Sequence, residues 1–276
     1  VRIPTPLVPV LVPLWEASPL VADVEDDLVF ALPQIAPSPY APLRHDYTGA
    51  LTDLVLGEDP SFSGQMRPWN LKLIGAHRSS AASGDGTGET PIDVYVIDGG
   101  VSHPDLNVVE SVAFYEGTDP GSDLHGTHVA GIIGAIDDDS GTVGIAPGAR
   151  IHSLDVFGGT ERASMSQLMR AVDHVVAAKR ASPSTPMVIN MSVGAYVGTA
   201  AFNALDDAVQ AAIDERIVVV IAAGNDAANT ANASPAHVRD AIVVGATDWE
   251  HTFAFDFSNR GRHVDVHAPG VRIVST

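Results

Sequence analysis

Five short apolar runs, rich in β-branched residues, limit most strongly what this chain can fold into: residues 92–97, 151–156, 187–191, 217–222 and 241–246. Each has the length and composition of a strand covered on both faces. Two helical patterns separate three of them. The first places Met165, Leu168, Met169, Val172 and Val176 on one face, and the second does the same with Phe202, Leu205, Val209 and Ile213. Alternating strands and helices imply right-handed crossovers. The expected fold is therefore α/β, a three-layer αβα domain around a mostly parallel sheet. Functional side chains should gather beyond the carboxyl ends of its strands.

The length of 276 residues suits one such domain with an extension. Nine of the 19 prolines fall within the first 42 residues, a density that favours extended chain over packed elements. The opening residues 1–15 are apolar, but Pro4, Pro6, Pro9 and Pro13 would break the helix of a secretory signal. Residues 1–67 read as a Pro-rich extension, a propeptide or linker remnant, and the folded body as residues 68–276, starting near Pro68-Trp69-Asn70-Leu71. The Gly/Ser/Thr-rich run 79–90 reads as a surface loop. A formal charge of −19 opposes nucleic-acid and anionic-lipid partners, and no apolar stretch has the length of a membrane span. The absence of cysteine removes disulfides, thiol catalysis and thiolate metal sites.

Three polar residues stand where this topology gathers chemistry. Asp98 ends the run 92–97 just before Gly99-Gly100, as an orienting carboxylate or an ordinary turn residue. His125 opens a small-residue helix, His125-Gly126-Thr127-His128-Val129-Ala130-Gly131, in which Gly131 and Gly134 permit close backbone approach. A zinc-protease helix needs histidines four apart with Glu between them, so His125 reads as a general base and His128 as a packed histidine. Asn225 follows the run 217–222 through Ala223-Gly224, as a donor to a developing oxyanion or a plain turn residue. Asn232-Ala233-Ser234 fits a glycosylation acceptor.

In order along residues 68–276, these stretches resemble the subtilisin family, in particular its proteinase K-like branch. The resemblance is carried by Val96-Ile97-Asp98-Gly99-Gly100-Val101, His103-Pro104-Asp105-Leu106, residues 125–131, Gly144-Ile145-Ala146-Pro147, Asn190-Met191-Ser192-Val193-Gly194, Ala222-Ala223-Gly224-Asn225, Phe257-Ser258-Asn259 and Ala268-Pro269-Gly270. It implies a secreted serine endopeptidase acting on peptides or proteins without a catalytic cofactor. Asp98 would then be the acid, His125 the base and Asn225 the oxyanion donor. Ser192, Val193 and Gly194, with Ala222, Ala223 and Gly224, would form two pocket walls. A structural calcium would lie on the Asp265 carboxylate and the carbonyls of Arg239 and Ala241.

Gly99 and Leu124 depart from the family, which has a hydroxyl residue and a small or polar residue at those places. Residues 271–276 match the strand that leads to a Gly-Thr-Ser nucleophile about a dozen residues later. The resemblance therefore implies a domain truncated before its serine, inert until a C-terminal segment completes it. The competing expectation is a pseudoprotease that binds peptide or protein partners without turnover.

Overall fold

The computed structural model describes residues 29–31, 64–115, 124–160, 162–198, 203–248, 250 and 252–276, with backbone only at 29–31. Its centre is the strand Asp93–Asp98 (β2), buried along its whole length. On one side β2 pairs with Arg150–Asp155 (β4), which pairs with Val108–Ala113 (β3). On the other lie Met187–Met191 (β6), Val218–Ala222 (β8), Ile242–Thr247 (β10) and Val266–Pro269 (β11). The order is β11-β10-β8-β6-β2-β4-β3, and every pairing in this sheet is parallel. The chain changes sides across β2, which makes the carboxyl end of β2 the switch point of the sheet.

Strand periodicity divides the core between two faces. Val94 and Val96 turn toward the helix Leu124–Gly134 (α2), meeting Ala130 and Ile151. Tyr95 and Ile97 turn the other way, toward Leu168 and Val172 of Met165–Ala181 (α3) and Leu205 and Val209 of Ala204–Asp214 (α4). Both apolar helix faces expected from the sequence pack there, with Met169 and Ile213 partly buried, and Phe202 lies outside the described residues. Among the described residues no helix is long and apolar enough to cross a membrane.

A short helix, Trp69–Ile74 (α1), starts after Pro68 and ends at Gly75 in the left-handed region. Most of residues 1–67 lies outside the described residues. Two of its parts are tied to the body: Val29–Ala31 (β1) pairs antiparallel with Arg162–Ser164 (β5), and Gln65 is buried. The loop 79–90 is less of a surface feature than its composition implies. Ser83 is fully buried, with its hydroxyl donating to the Gly144 carbonyl at 2.6 Å. The Asp137 carboxylate accepts the N–H groups of Gly84, Gly86 and Gly88 at 2.9–3.1 Å, so one buried charge fastens the glycine run.

Residues 271–276 are not a strand, contrary to the sequence expectation. The edge strand is β11, after which Gly270 donates to Thr247 and the chain leaves the sheet to cross α2. Ser275 donates its hydroxyl to the His128 carbonyl at 2.7 Å, and His128 Nε2 donates to the Ile273 carbonyl at 3.1 Å. A side chain on Gly131 would collide with Ser275 and Thr276, which accounts for glycine there. Gly126 is constrained likewise, since a Cβ would run into the Gly100 carbonyl oxygen.

A second buried charge holds the start of α4. Asn203 caps the helix through Leu205 and Asp206, and Asp206 returns the bond by accepting Asn203 N–H at 2.9 Å. The Asp206 carboxylate, fully buried, also accepts the Ser234 hydroxyl and His237 Nε2–H, both at 2.7 Å. Ser234 belongs to Ala233–Ser234 (β9), which pairs with Ala195–Tyr196 (β7).

The bond to Asp206 raises the pKa of His237 above the ordinary 6.5, against the effect of burial. The folded state therefore binds this proton more tightly than the unfolded one. Its contribution is complete below pH 6.5 and is lost as pH rises through the folded value. The stability advantage of wild type over His237→Gln, measured by urea denaturation, should be largest below pH 6.5 and shrink toward alkaline pH. Gly126→Ala should lower unfolding stability by ~1–3 kcal/mol in the same assay, the usual cost of forcing atoms into a closed contact.

Candidate active site

Asp98, the last residue of β2, is fully buried. It lies at the switch point, and its Oδ1 accepts the Gly99 N–H at 2.8 Å. His125 is the second residue of α2, and the close approach that Gly126 allows brings its ring over the carboxylate. Nδ1–H donates to Asp98 at 2.9 Å to Oδ1 and 3.0 Å to Oδ2. A carboxylate opposite Nδ1 selects the tautomer with the proton there and leaves Nε2 as the basic nitrogen. The His125 side chain is 22% exposed against 0% for Asp98, so the pair has one sheltered member and one that reaches solvent. His128, one turn along, has its pKa lowered by burial, opposed by its bond to the Ile273 carbonyl. It is a packed residue, as its position suggests.

The other expected site residues emerge at the same edge of the sheet. β8, β6 and β2 are neighbours, with Met191 opposite Ile221 and Ile97 opposite Met191. Ser192, Val193 and Gly194 therefore leave β6 beside Ala222, Ala223 and Gly224 at the end of β8, with Asn225 next in line. Within these walls Val193 and Ala223 are each 1% exposed and belong to the core. Their side chains face inward, while Ser192, Gly194, Ala222 and Gly224 are half-buried. The first wall continues into β7 and so is braced by β9. Ser275 takes no comparable place, because its hydroxyl is committed to the His128 carbonyl.

No cluster of three or more His, Asp or Glu side chains among the described residues has the geometry of a metal centre. One oxygen of Asp265 already accepts the Val243 N–H at 2.9 Å. A different donor set, missed in the sequence, surrounds Gln65. Its Nε2 faces the carbonyls of Ile136, Ser140 and Thr142 at 2.6–3.0 Å and Asp138 Oδ1 at 3.5 Å. Gln65 Oε1 and Asp105 Oδ1 are buried there without a hydrogen-bond partner. Burial raises the Asp105 pKa. Acceptor oxygens outnumber donors around one point, which is the environment of a hard divalent cation. The sequence signal was the run Asp137-Asp138-Asp139-Ser140-Gly141 after a helix, with its partner Gln65 far away in the chain.

The sequence profile of peptidase family S8, the subtilase family, matches residues 90–276. Subtilisin BL of Lederbergia lenta is 34% identical over 215 residues, covering 77% of this chain and 75% of the relative. Subtilisin E of Bacillus subtilis (strain 168) is 35% identical over 220 residues, 77% of this chain and 54% of the relative. Among solved structures, a cold adapted subtilisin-like serine proteinase superposes with a TM-score of 0.56 at 34% identity. That match covers 69% of this chain and 66% of the other. The profile, the identities and the all-parallel sheet agree: this chain belongs to the subtilase family.

Proposed function

We propose that the full-length protein is a secreted serine endopeptidase in which Asp98, His125 and Asn225 serve the hydrolysis of peptide bonds. The observation that carries this reading is the two-oxygen contact between buried Asp98 and His125 Nδ1 at 2.9 and 3.0 Å. It fixes the tautomer a general base needs. In this reading a serine hydroxyl gives its proton to His125 Nε2 as its oxygen attacks the substrate carbonyl carbon. Asp98 stabilises the imidazolium that forms and stays ionised. The carbonyl oxygen gains negative charge and accepts a hydrogen bond from the Asn225 carboxamide. His125 then gives its proton to the departing amine, and water repeats the sequence on the acyl-enzyme to release the acid. Substrate backbone would lie between Ser192-Val193-Gly194 and Ala222-Ala223-Gly224, pairing as an added strand. The match to proteases at 34–35% identity supports the same reading.

A structural calcium belongs to this proposal. Of the two positions, the oxygens around Gln65 fit it better than Asp265 with the carbonyls of Arg239 and Ala241. The former group holds two buried acceptor oxygens, Gln65 Oε1 and Asp105 Oδ1, that make no hydrogen bond. Gln65, Asp105 and Asp138 would hold the ion by side chain, and Ile136, Ser140 and Thr142 by carbonyl. It would join the start of the folded body to the chain that follows α2.

The full-length protein should cleave a chromogenic peptide and be inactivated by a phosphonofluoridate. His125→Ala should lower kcat by about 10⁶, a magnitude that comes from a protease of this family. Asn225→Ala should cost about 10²–10³ in kcat, from the same source, with little change in KM. Normal turnover by His125→Ala would overturn the mechanism, and binding without turnover by wild type would make the protein a pseudoprotease. Calcium at about 100 times its Kd should raise unfolding stability by ~2.7 kcal/mol. Asp138→Ala should abolish that gain and Asp265→Ala should keep it; the reverse pattern would move the ion to Asp265.

A further inference from the structure

Asn259 lies under the Asn225 turn with no solvent exposure. Its side chain spans the turn from both sides. Oδ1 accepts the N–H groups of Asp226 at 3.0 Å and Ala228 at 2.8 Å. Nδ2 donates to the Ala223 carbonyl at 2.8 Å, and the Asn259 backbone N–H donates to the Gly224 carbonyl at 2.9 Å. Every residue bound in this way lies within three positions of Asn225, and the two nearest, Gly224 and Asp226, flank it directly. Ala227 N–H, donating to Phe257 at 2.7 Å, and Arg260 N–H, donating to Ala228 at 2.9 Å, extend the seam.

This turn has left the sheet, so residues 226 and 228 have no ladder partners for their N–H groups. One carboxamide satisfies both, and the carbonyl of residue 223 as well, because it is donor and acceptor at once. The fit is close: Gly224 has φ +97°, and a Cβ on it would collide with Asn259 Nδ2. The seam therefore dictates glycine beside Asn225 and leaves the turn one conformation.

We propose that Asn259 is a positioning residue that sets the attitude of Asn225 toward the developing oxyanion. This rests on the hydrolytic reading given above. Donors to an oxyanion act through preorganisation, and a displacement of about 1 Å in a reacting array costs on the order of 10²-fold in rate. Asn259 contributes rigidity to the donor and makes no contact with substrate.

A double-mutant cycle in the full-length protein tests this, with kcat and KM read on a chromogenic peptide. Asn259→Ala should lower kcat about tenfold or more and leave KM within about twofold. In an Asn225→Ala background the same substitution should cost no further kcat, since the group it positions is gone. Equal losses in both backgrounds would overturn the proposal, as would a lower Tm with unchanged kcat. If Asn259→Ala does not fold, Asn259→Ser, which leaves a smaller cavity and a hydroxyl donor, decides by the same cycle. Absence of any wild-type turnover would overturn the hydrolytic reading itself, whereas turnover with additive losses would remove only the role of Asn259.

Discussion

Parallel pairing on both sides of β2 is the constraint on which the rest of this molecule depends. Seven strands that all point one way need a crossover between each pair, and the crossovers supply the two helical layers. The same geometry brings three neighbouring carboxyl ends, those of β8, β6 and β2, to one edge. Residues far apart in the chain meet there without any long irregular loop to carry them. Asp98 ends the central strand, with His125 and Gly126 of α2 against its carboxylate. His125 reaches it only because Gly126 lets α2 begin almost in contact with the turn after β2.

Single buried polar groups with several partners then fix the irregular parts. Asp137 gathers three N–H groups of the 84–88 loop, and Asp206 ties the cap of α4 to β9 and His237. Asn259 does the same for the turn after β8. A buried carboxylate or amide is costly unless its bonding capacity is filled, so each of these groups makes one loop conformation much better than its alternatives. Packing of apolar residues would not discriminate among loop conformations so sharply.

The central strands and the two long helices were legible because each buries a periodic or continuous apolar pattern. β3 and β11 were not, because they are the sheet edges. Val109, Glu110 and Ser111 of β3 alternate between exposed and half-buried, and Val266 and His267 of β11 are exposed. Neither presents the two-faced apolar run by which the inner strands were found. Asp98, His125 and Asn225 were legible through their places after strands and at a helix start, together with the ordered motifs around them. Gln65, Asp105 and Asn259 were not, since their significance lies in partners scores of residues away or in backbone groups that leave no mark in the sequence. The inward turn of Val193 and Ala223 was hidden for the same reason: a motif names a residue without saying which way its side chain faces.

Among the described residues the strands of the main sheet pair with one another only in parallel, and the antiparallel contact of Thr247 with Phe253 is an isolated bridge. Asp93 must find Met187 on one side and Arg150 on the other, and even the nearest neighbours, such as Val244 and Val266, are joined through a long connection. No pair of strands can assemble early from local chain alone. The loop-closure entropy of several distant segments falls due before their burial repays it. A topology of this kind folds slowly for its stability and, by the same barrier, comes apart slowly once formed. Persistence of the folded chain is then governed by a rate as much as by an equilibrium.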